Sequence, residues 1–232
     1  MPKAIKRKVS AKTPATEAEV KDKLASLKDT ISERRKSVLR YGALIIGVII
    51  VVSGFLLYDY TSRKKATMLE YEAYKIYHNI SPKGPLTKED QYTRALDVFR
   101  KSYDTRKSPT ALFYIAACQY ELGKYDEALK TLNEFISKYS KEEKLIPLAY
   151  QKIAMAFVKK GNTKDAMEAL EKLYNLKGDI YKDFALIEYA RLLEKEGKIE
   201  EAKKKYKELS ERFPNSPFID EAKTKLSEEK KG

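Results

Sequence analysis

The chain has 232 residues, with 47 Lys plus Arg against 34 Asp plus Glu, one Cys, one His and no Trp. A single thiol excludes an internal disulfide framework, and one thiol plus one imidazole cannot supply a zinc or haem site of several such ligands. The formal charge of +13 is unevenly placed: residues 1–40 hold 12 basic and 5 acidic side chains, so the excess does not describe a domain built to neutralise phosphates, and no nucleic-acid partner is expected.

Residues 1–33 read as a basic, partly disordered cytoplasmic tail. Their opening, Met-Pro-Lys-Ala-Ile-Lys-Arg-Lys, is Lys-rich and poor in large apolar side chains, which predicts disorder at the start. Further on, Val20, Leu24, Leu27 and Ile31 recur at helical spacing and predict a short amphipathic helix.

Residues 34–64 read as a single transmembrane helix with its flanks. Tyr41 to Tyr58 is an uncharged run of 18 residues. At about 1.5 Å of rise per residue, roughly 20 residues cross a hydrocarbon core of about 30 Å. The run starts late and exits through Tyr-Asp-Tyr-Thr-Ser-Arg-Lys-Lys without a small-residue cleavage pattern, so an uncleaved anchor is expected rather than a signal peptide. Residues 21–40 carry seven Lys and Arg against four in residues 59–78, which favours a cytoplasmic N-terminus and an exported C-terminal domain. Tyr41, Tyr58 and Tyr60 stand where interfacial aromatics belong.

Residues 65–232 carry a repeat. Gly123-Lys-Tyr-Asp-Glu-Ala128, Gly161-Asn-Thr-Lys-Asp-Ala166 and Gly197-Lys-Ile-Glu-Glu-Ala202 share one form, with alanines 38 and 36 residues apart. A weaker copy ends at Ala95. A large side chain follows each alanine by four: Phe99, Leu132, Leu170 and Tyr206. Glycine ends one helix in a left-handed conformation, acidic residues open the next, and alanine allows two helices to approach closely. The first helices supply large, large and small residues in register: Leu112, Ile115, Ala116; Tyr150, Ile153, Ala154; Leu186, Tyr189, Ala190. This is tetratricopeptide logic, helix hairpins of about 34 residues stacked on one another. The fold expected is all-α: an N-terminal transmembrane helix, then a tetratricopeptide-like solenoid of about three to four repeats with a C-terminal capping helix. Helices are expected over 65–80, 88–103, 109–122, 125–139, 145–160, 163–174, 180–195, 198–212 and 217–228. The stripe Leu69, Ala73, Ile76, Ile80 belongs to the first of these, and Phe218, Ala222, Leu226 to the last.

Such stacks bind with their inner surface, lined by the first helix of each hairpin. The expected partner-binding residues are Phe113, Ala117 and Tyr120 in one repeat, Gln151, Met155 and Val158 in the next, and Phe184, Ile187 and Arg191 in the last. The lining is mostly apolar, with a flexible Met, as in surfaces that accept varied apolar peptides. The equally weighted alternative fills the groove with the same side chains as core. Catalysis is not expected. There is no Gly-rich phosphate loop and no Gly-x-Ser-x-Gly, and adjacent acid pairs such as Glu142-Glu143 diverge around a helix. Cys118, on an apolar helical stretch, reads as a buried structural thiol and His78 as a surface residue. No cofactor is expected.

The order of parts resembles the YfgM-like family of single-span bacterial inner-membrane tetratricopeptide-repeat proteins. The likeness runs from the basic flank and aromatic-ended span, Arg35 to Tyr60, through Ala66 to Ile80 and into the hairpins, about residues 20–212 in all. It implies a periplasmic repeat domain beside the Sec translocon and a membrane-anchored prolyl-isomerase-like chaperone, holding exported clients. The partners it implies are translocon subunits, a periplasmic chaperone or exported polypeptides. The chain departs from that pattern in its basic tail of about 40 residues and its Lys-rich repeats. Two other readings fit an anchored repeat stack: a scaffold subunit of another cell-envelope complex, and a mitochondrial import receptor with cytosolic repeats.

Overall fold

The computed structural model describes residues 17–80 and 86–227, which form ten helices and no strand. The chain divides into two compact units, Met1–Asp59 and Tyr60–Gly232. The predicted disorder of the first residues lies outside the described residues.

In the first unit, α1 (Glu17–Glu33) is the amphipathic helix read from spacing, with Val20, Leu24, Leu27 and Ile31 all exposed. Helix α2 (Arg35–Tyr77) is, by length and composition, the one described helix apolar enough to cross a membrane, and none of its most apolar 18-residue window is buried. Its residues up to Asp59 belong to the first unit and those from Tyr60 to the second.

The second unit is a stack of helix hairpins. The last part of α2 pairs with α3 (Lys88–Thr105). Then come α4 (Pro109–Glu121) with α5 (Tyr125–Lys138), α6 (Ile146–Lys159) with α7 (Thr163–Tyr174), and α8 (Lys182–Lys195) with α9 (Ile199–Arg212). The last helix is α10 (Ile219–Ser227). Each helix packs on the next in chain order from α3 to α10.

Local chemistry sets these boundaries. Thr87, Ser108 and Asn162 side-chain oxygens accept from the backbone N–H of Asp90, Ala111 and Asp165, capping α3, α4 and α7. Pro109 and Pro147 sit in the first turns of α4 and α6, where a missing N–H costs nothing. The three first helices end alike. Gly123, Gly161 and Gly197 take φ of 73°, 74° and 75°. The next residue's N–H then reaches back five positions: Lys124 to the Gln119 carbonyl, Asn162 to Phe157 and Lys198 to Leu193, each at 2.9 Å. That double closure satisfies the last carbonyls of each helix and aims the chain into the return helix.

The small residues do what their spacing implies. Ala116, Ala154 and Ala190 on first helices, and Ala128, Ala166 and Ala202 on second helices, are all at most 1% exposed. The four large residues in register, Phe99, Leu132, Leu170 and Tyr206, are equally buried. Burial of each is worth about 1.5–3 kcal/mol. The first hairpin is fastened by buried polar bonds as well. Ser102 Oγ donates to the Ala66 carbonyl at 2.9 Å, and Gln91 Nε2 to the Tyr77 carbonyl at 2.6 Å.

One expected stripe is cut short. Ala73 is fully buried and Leu69 and Ile76 are half-buried, but Ile80 is 60% exposed. The helix stops at Tyr77, and Asn79 turns left-handed at φ 54°, which carries Ile80 off the helical face.

Candidate functional site: the first-helix face

Helices α4, α6 and α8, with α10 beyond them, share one face of the second unit. Side chains bridge it from helix to helix. Lys152 Nζ of α6 donates to Glu121 Oε1 of α4 at 2.8 Å and lies 4.4 Å above the Tyr120 ring. Arg191 of α8 pairs with Glu188 of its own helix and Glu221 of α10, with Nε to Glu221 Oε1 at 2.8 Å. Lys225 of α10 reaches Glu194 of α8 at 3.2 Å. The Phe184 and Phe218 rings meet at 6.4 Å, edge to face.

The nine expected partner-binding residues divide into three groups. Phe113, Ala117 and Ile187 are 5%, 1% and 0% exposed, and are packing residues rather than a lining. Phe113 lies 6.0 Å from the Phe135 ring of α5, while Ile187 belongs to the cluster that α10 closes with Phe218 and Leu226. A partner cannot touch them without opening a hairpin. Phe184 and Arg191 are half-buried and contact Phe218 and Glu221, so they hold the cap. Tyr120, Gln151, Met155 and Val158 are half-buried and lie in the middle of the row, beside the Lys152–Glu121 pair. Sequence spacing gave the face. It carried no signal for Lys152 with Glu121 or Arg191 with Glu221, pairs that join residues about 30 apart on different helices.

Electrostatics separate the two ends of this face. The Glu221 carboxyl is held below the usual range, first by its hydrogen bond from Arg191. Arg191 is correspondingly held protonated by Glu221. Tyr120 is pushed up by burial and then by Glu121, so it remains a neutral hydroxyl at every physiological pH. The middle of the face therefore offers a phenol, a carboxamide, a thioether and one neutralised ion pair. That set suits apolar side chains and main-chain amides of a polypeptide, and it has no group poised for proton transfer. Cys118 is buried and its thiol is pushed up to about 12, chiefly by burial, which leaves it protonated and inert. Among the described residues no group of three or more His, Cys, Asp or Glu side chains is placed to hold a metal.

Residues 148–180 and 184–216 each match a family model of the tetratricopeptide repeat, and residues 86–135 match the model of anaphase-promoting complex, cyclosome, subunit 3. Heat shock protein STI1 of Saccharomyces cerevisiae is 30% identical over 88 residues, a match spanning 37% of this chain and 15% of that protein. Among solved structures, nearly identical TPR-like repeats of kinesin light chain type from Podosopora anserina superpose with a TM-score of 0.53 at 15% identity, covering 72% of this chain and 84% of theirs. The yeast Sti1 TPR2AB domain, solved as a pHSP90 complex, gives a TM-score of 0.42 at 22% identity over 71% of this chain and 69% of that one. The hairpin geometry and the two repeat-model matches define the class: the chain carries a tetratricopeptide-repeat solenoid. Repeats of this kind are generally non-enzymatic scaffolds for protein–protein interaction.

Proposed function

We propose that this chain is a membrane-tethered interaction module of the bacterial inner membrane. Its N-terminus lies in the cytoplasm and its repeats in the periplasm, where they hold exported polypeptides or a chaperone near the Sec translocon. The observation that carries the tether is the apolar run itself. From Leu44 to Leu57 the large apolar side chains of α2 are 49–71% exposed on every face of the helix. Each is worth about 1.5–3 kcal/mol when removed from water, and summed over the run this makes a bilayer the favoured surroundings. The seven-to-four excess of basic residues on the N-terminal side supports the orientation. The likeness to a heat shock protein fits a chaperone-linked client.

The partner is taken by the middle of the first-helix face, Tyr120, Gln151, Met155 and Val158. Phe113, Ala117 and Ile187 shape that surface from beneath, and Phe184 and Arg191 close its end. Two measurements test the proposal. A C-terminal reporter active only outside the cytoplasm should be active, and activity of a cytoplasm-dependent reporter would reverse the orientation. Co-purification from gentle detergent should bring translocon subunits or a periplasmic chaperone, and Tyr120→Asp with Met155→Asp should abolish it while leaving helicity unchanged. Recovery of cell-wall assembly proteins instead would refute the translocon assignment.

A further inference from the structure

A second surface lies at the opposite end of the stack from the cap. Within the second unit, the last part of α2 and helix α3 enclose an open groove of about 990 Å³. Met68, Leu69, Ile76 and Val98 supply its apolar side chains, and Met68 is 64% exposed. Lys64, Lys65, Arg94 and Lys101 line it as well, and none of the four makes an ion pair among the described residues. Lys75 adds a fifth cation, over the Tyr71 ring, against only two carboxylates, Glu72 and Asp97.

The position in the stack says what shape belongs there. In each later hairpin the first helix is covered by the second helix of the hairpin before it: α3 on α4, α5 on α6, α7 on α8. The first helix of the first hairpin has no preceding hairpin among the described residues. Terminal repeats of a solenoid stay soluble by presenting a polar outer face. This one instead presents apolar side chains ringed by cations. The volume corresponds to about two turns of a helix roughly 10 Å across. The excess of five cations over two carboxylates in the lining selects the sign of the occupant.

We propose that this groove docks an acidic amphipathic helix of a partner protein, which takes the place of a preceding repeat's second helix. The site is separate from the first-helix face and does not depend on what that face binds. Binding buries the partner's apolar stripe on Met68, Leu69 and Val98 and sets its carboxylates against Lys64, Lys65, Arg94 and Lys101.

The test uses the full chain in neutral detergent and two labelled synthetic helical peptides with the same leucine stripe, one with glutamates and one with lysines on the polar face. Fluorescence anisotropy should show binding of the glutamate peptide, weakening with salt, and little binding of the lysine peptide. Arg94→Glu with Lys101→Glu should weaken the glutamate peptide about tenfold, because two rim charges change sign. Tyr120→Asp with Met155→Asp should leave it unchanged, which separates this site from the first-helix face. Circular dichroism of each variant checks folding, and a photoreactive residue at position 68 should cross-link the glutamate peptide. Equal binding of both peptides, or no effect of the Arg94 and Lys101 reversals, would overturn the proposal. So would cross-linking at position 68 to phosphatidylglycerol in place of peptide in nanodiscs, or self-association of the chain that the same reversals abolish. The last two outcomes assign the groove to a lipid surface or to a second copy.

Discussion

At the scale of single residues, the alanines carry the fold. Ala128, Ala166 and Ala202 sit where two helices of a hairpin touch, and each is at most 1% exposed. Ala202→Leu forces a larger side chain into a filled interior and should cost about 1–3 kcal/mol, measured by thermal or urea unfolding. Lys204→Leu, two residues on at an exposed position, should stay within about 0.5 kcal/mol. Equal effects would mean that the hairpin contact is not close-packed. Cys118 gives a chemical probe of the same interior. Burial raises its thiol from 9.0 to about 12, so in the folded chain it keeps a proton that the unfolded chain releases. Its contribution to stability is complete below about pH 9 and declines as pH rises toward 12. A maleimide at neutral pH should leave Cys118 unlabelled until denaturant is added, and fast labelling of the native chain would contradict the burial. Those alanines were legible in the sequence because small residues recur in register, and that cysteine because it lies on an apolar helical stretch. The burial of Phe113 and Ile187 was not. Spacing tells which face of a helix a residue occupies, but not whether a neighbouring helix lies across it.

At the scale of elements, termination and capping decide where each helix stops. Gly197 lies at φ 75° with nothing within 4 Å of where a Cβ would stand, so the cost of a side chain there is conformational and not steric. Gly197→Ala should therefore destabilise by about 1–2 kcal/mol, the left-handed penalty alone. A much larger loss would point to a clash the geometry does not contain. Helix α10 is held on α8 by Arg191–Glu221, Lys225–Glu194 and the Phe184–Phe218 contact. Glu221 is depressed in the folded chain, so its share of that hold is present above the ordinary glutamate pKa and is lost as pH falls through the folded value. Hydrogen-exchange protection factors of residues 219–227, corrected for the intrinsic pH dependence, should therefore fall on acidification before those of the rest of the stack, and Glu221→Gln should remove that difference. Helix existence was read correctly along the repeats because glycine, acid and alanine punctuate them in one order. The cap's ion pairs were invisible, since residues 191 and 221 share no helical spacing. The end of α2 was misjudged by about a turn because the stripe continued numerically to Ile80 while Asn79 turned the backbone away.

At the scale of the whole molecule, a stack in which each helix packs on its sequence neighbour gains stability from one interface to the next. Its two ends differ. One is closed by α10, and the other presents an apolar groove ringed by cations. Between them lies the short open stretch of the first-helix face. The repeat architecture was readable from one sequence, as was the uncharged apolar run within α2. The groove was not, because its residues come from α2 and α3 and follow no motif. The claim that organises all of this is that a polypeptide is held on the middle of the first-helix face. The most direct measurement places a photoreactive residue at position 155 of the full chain in cells, with position 204 on the exposed side of α9 as its comparison. The account predicts discrete protein adducts at 155 that disappear with Tyr120→Asp, and none at 204. Equal adducts at both positions, or adducts at 155 that survive Tyr120→Asp, would contradict it.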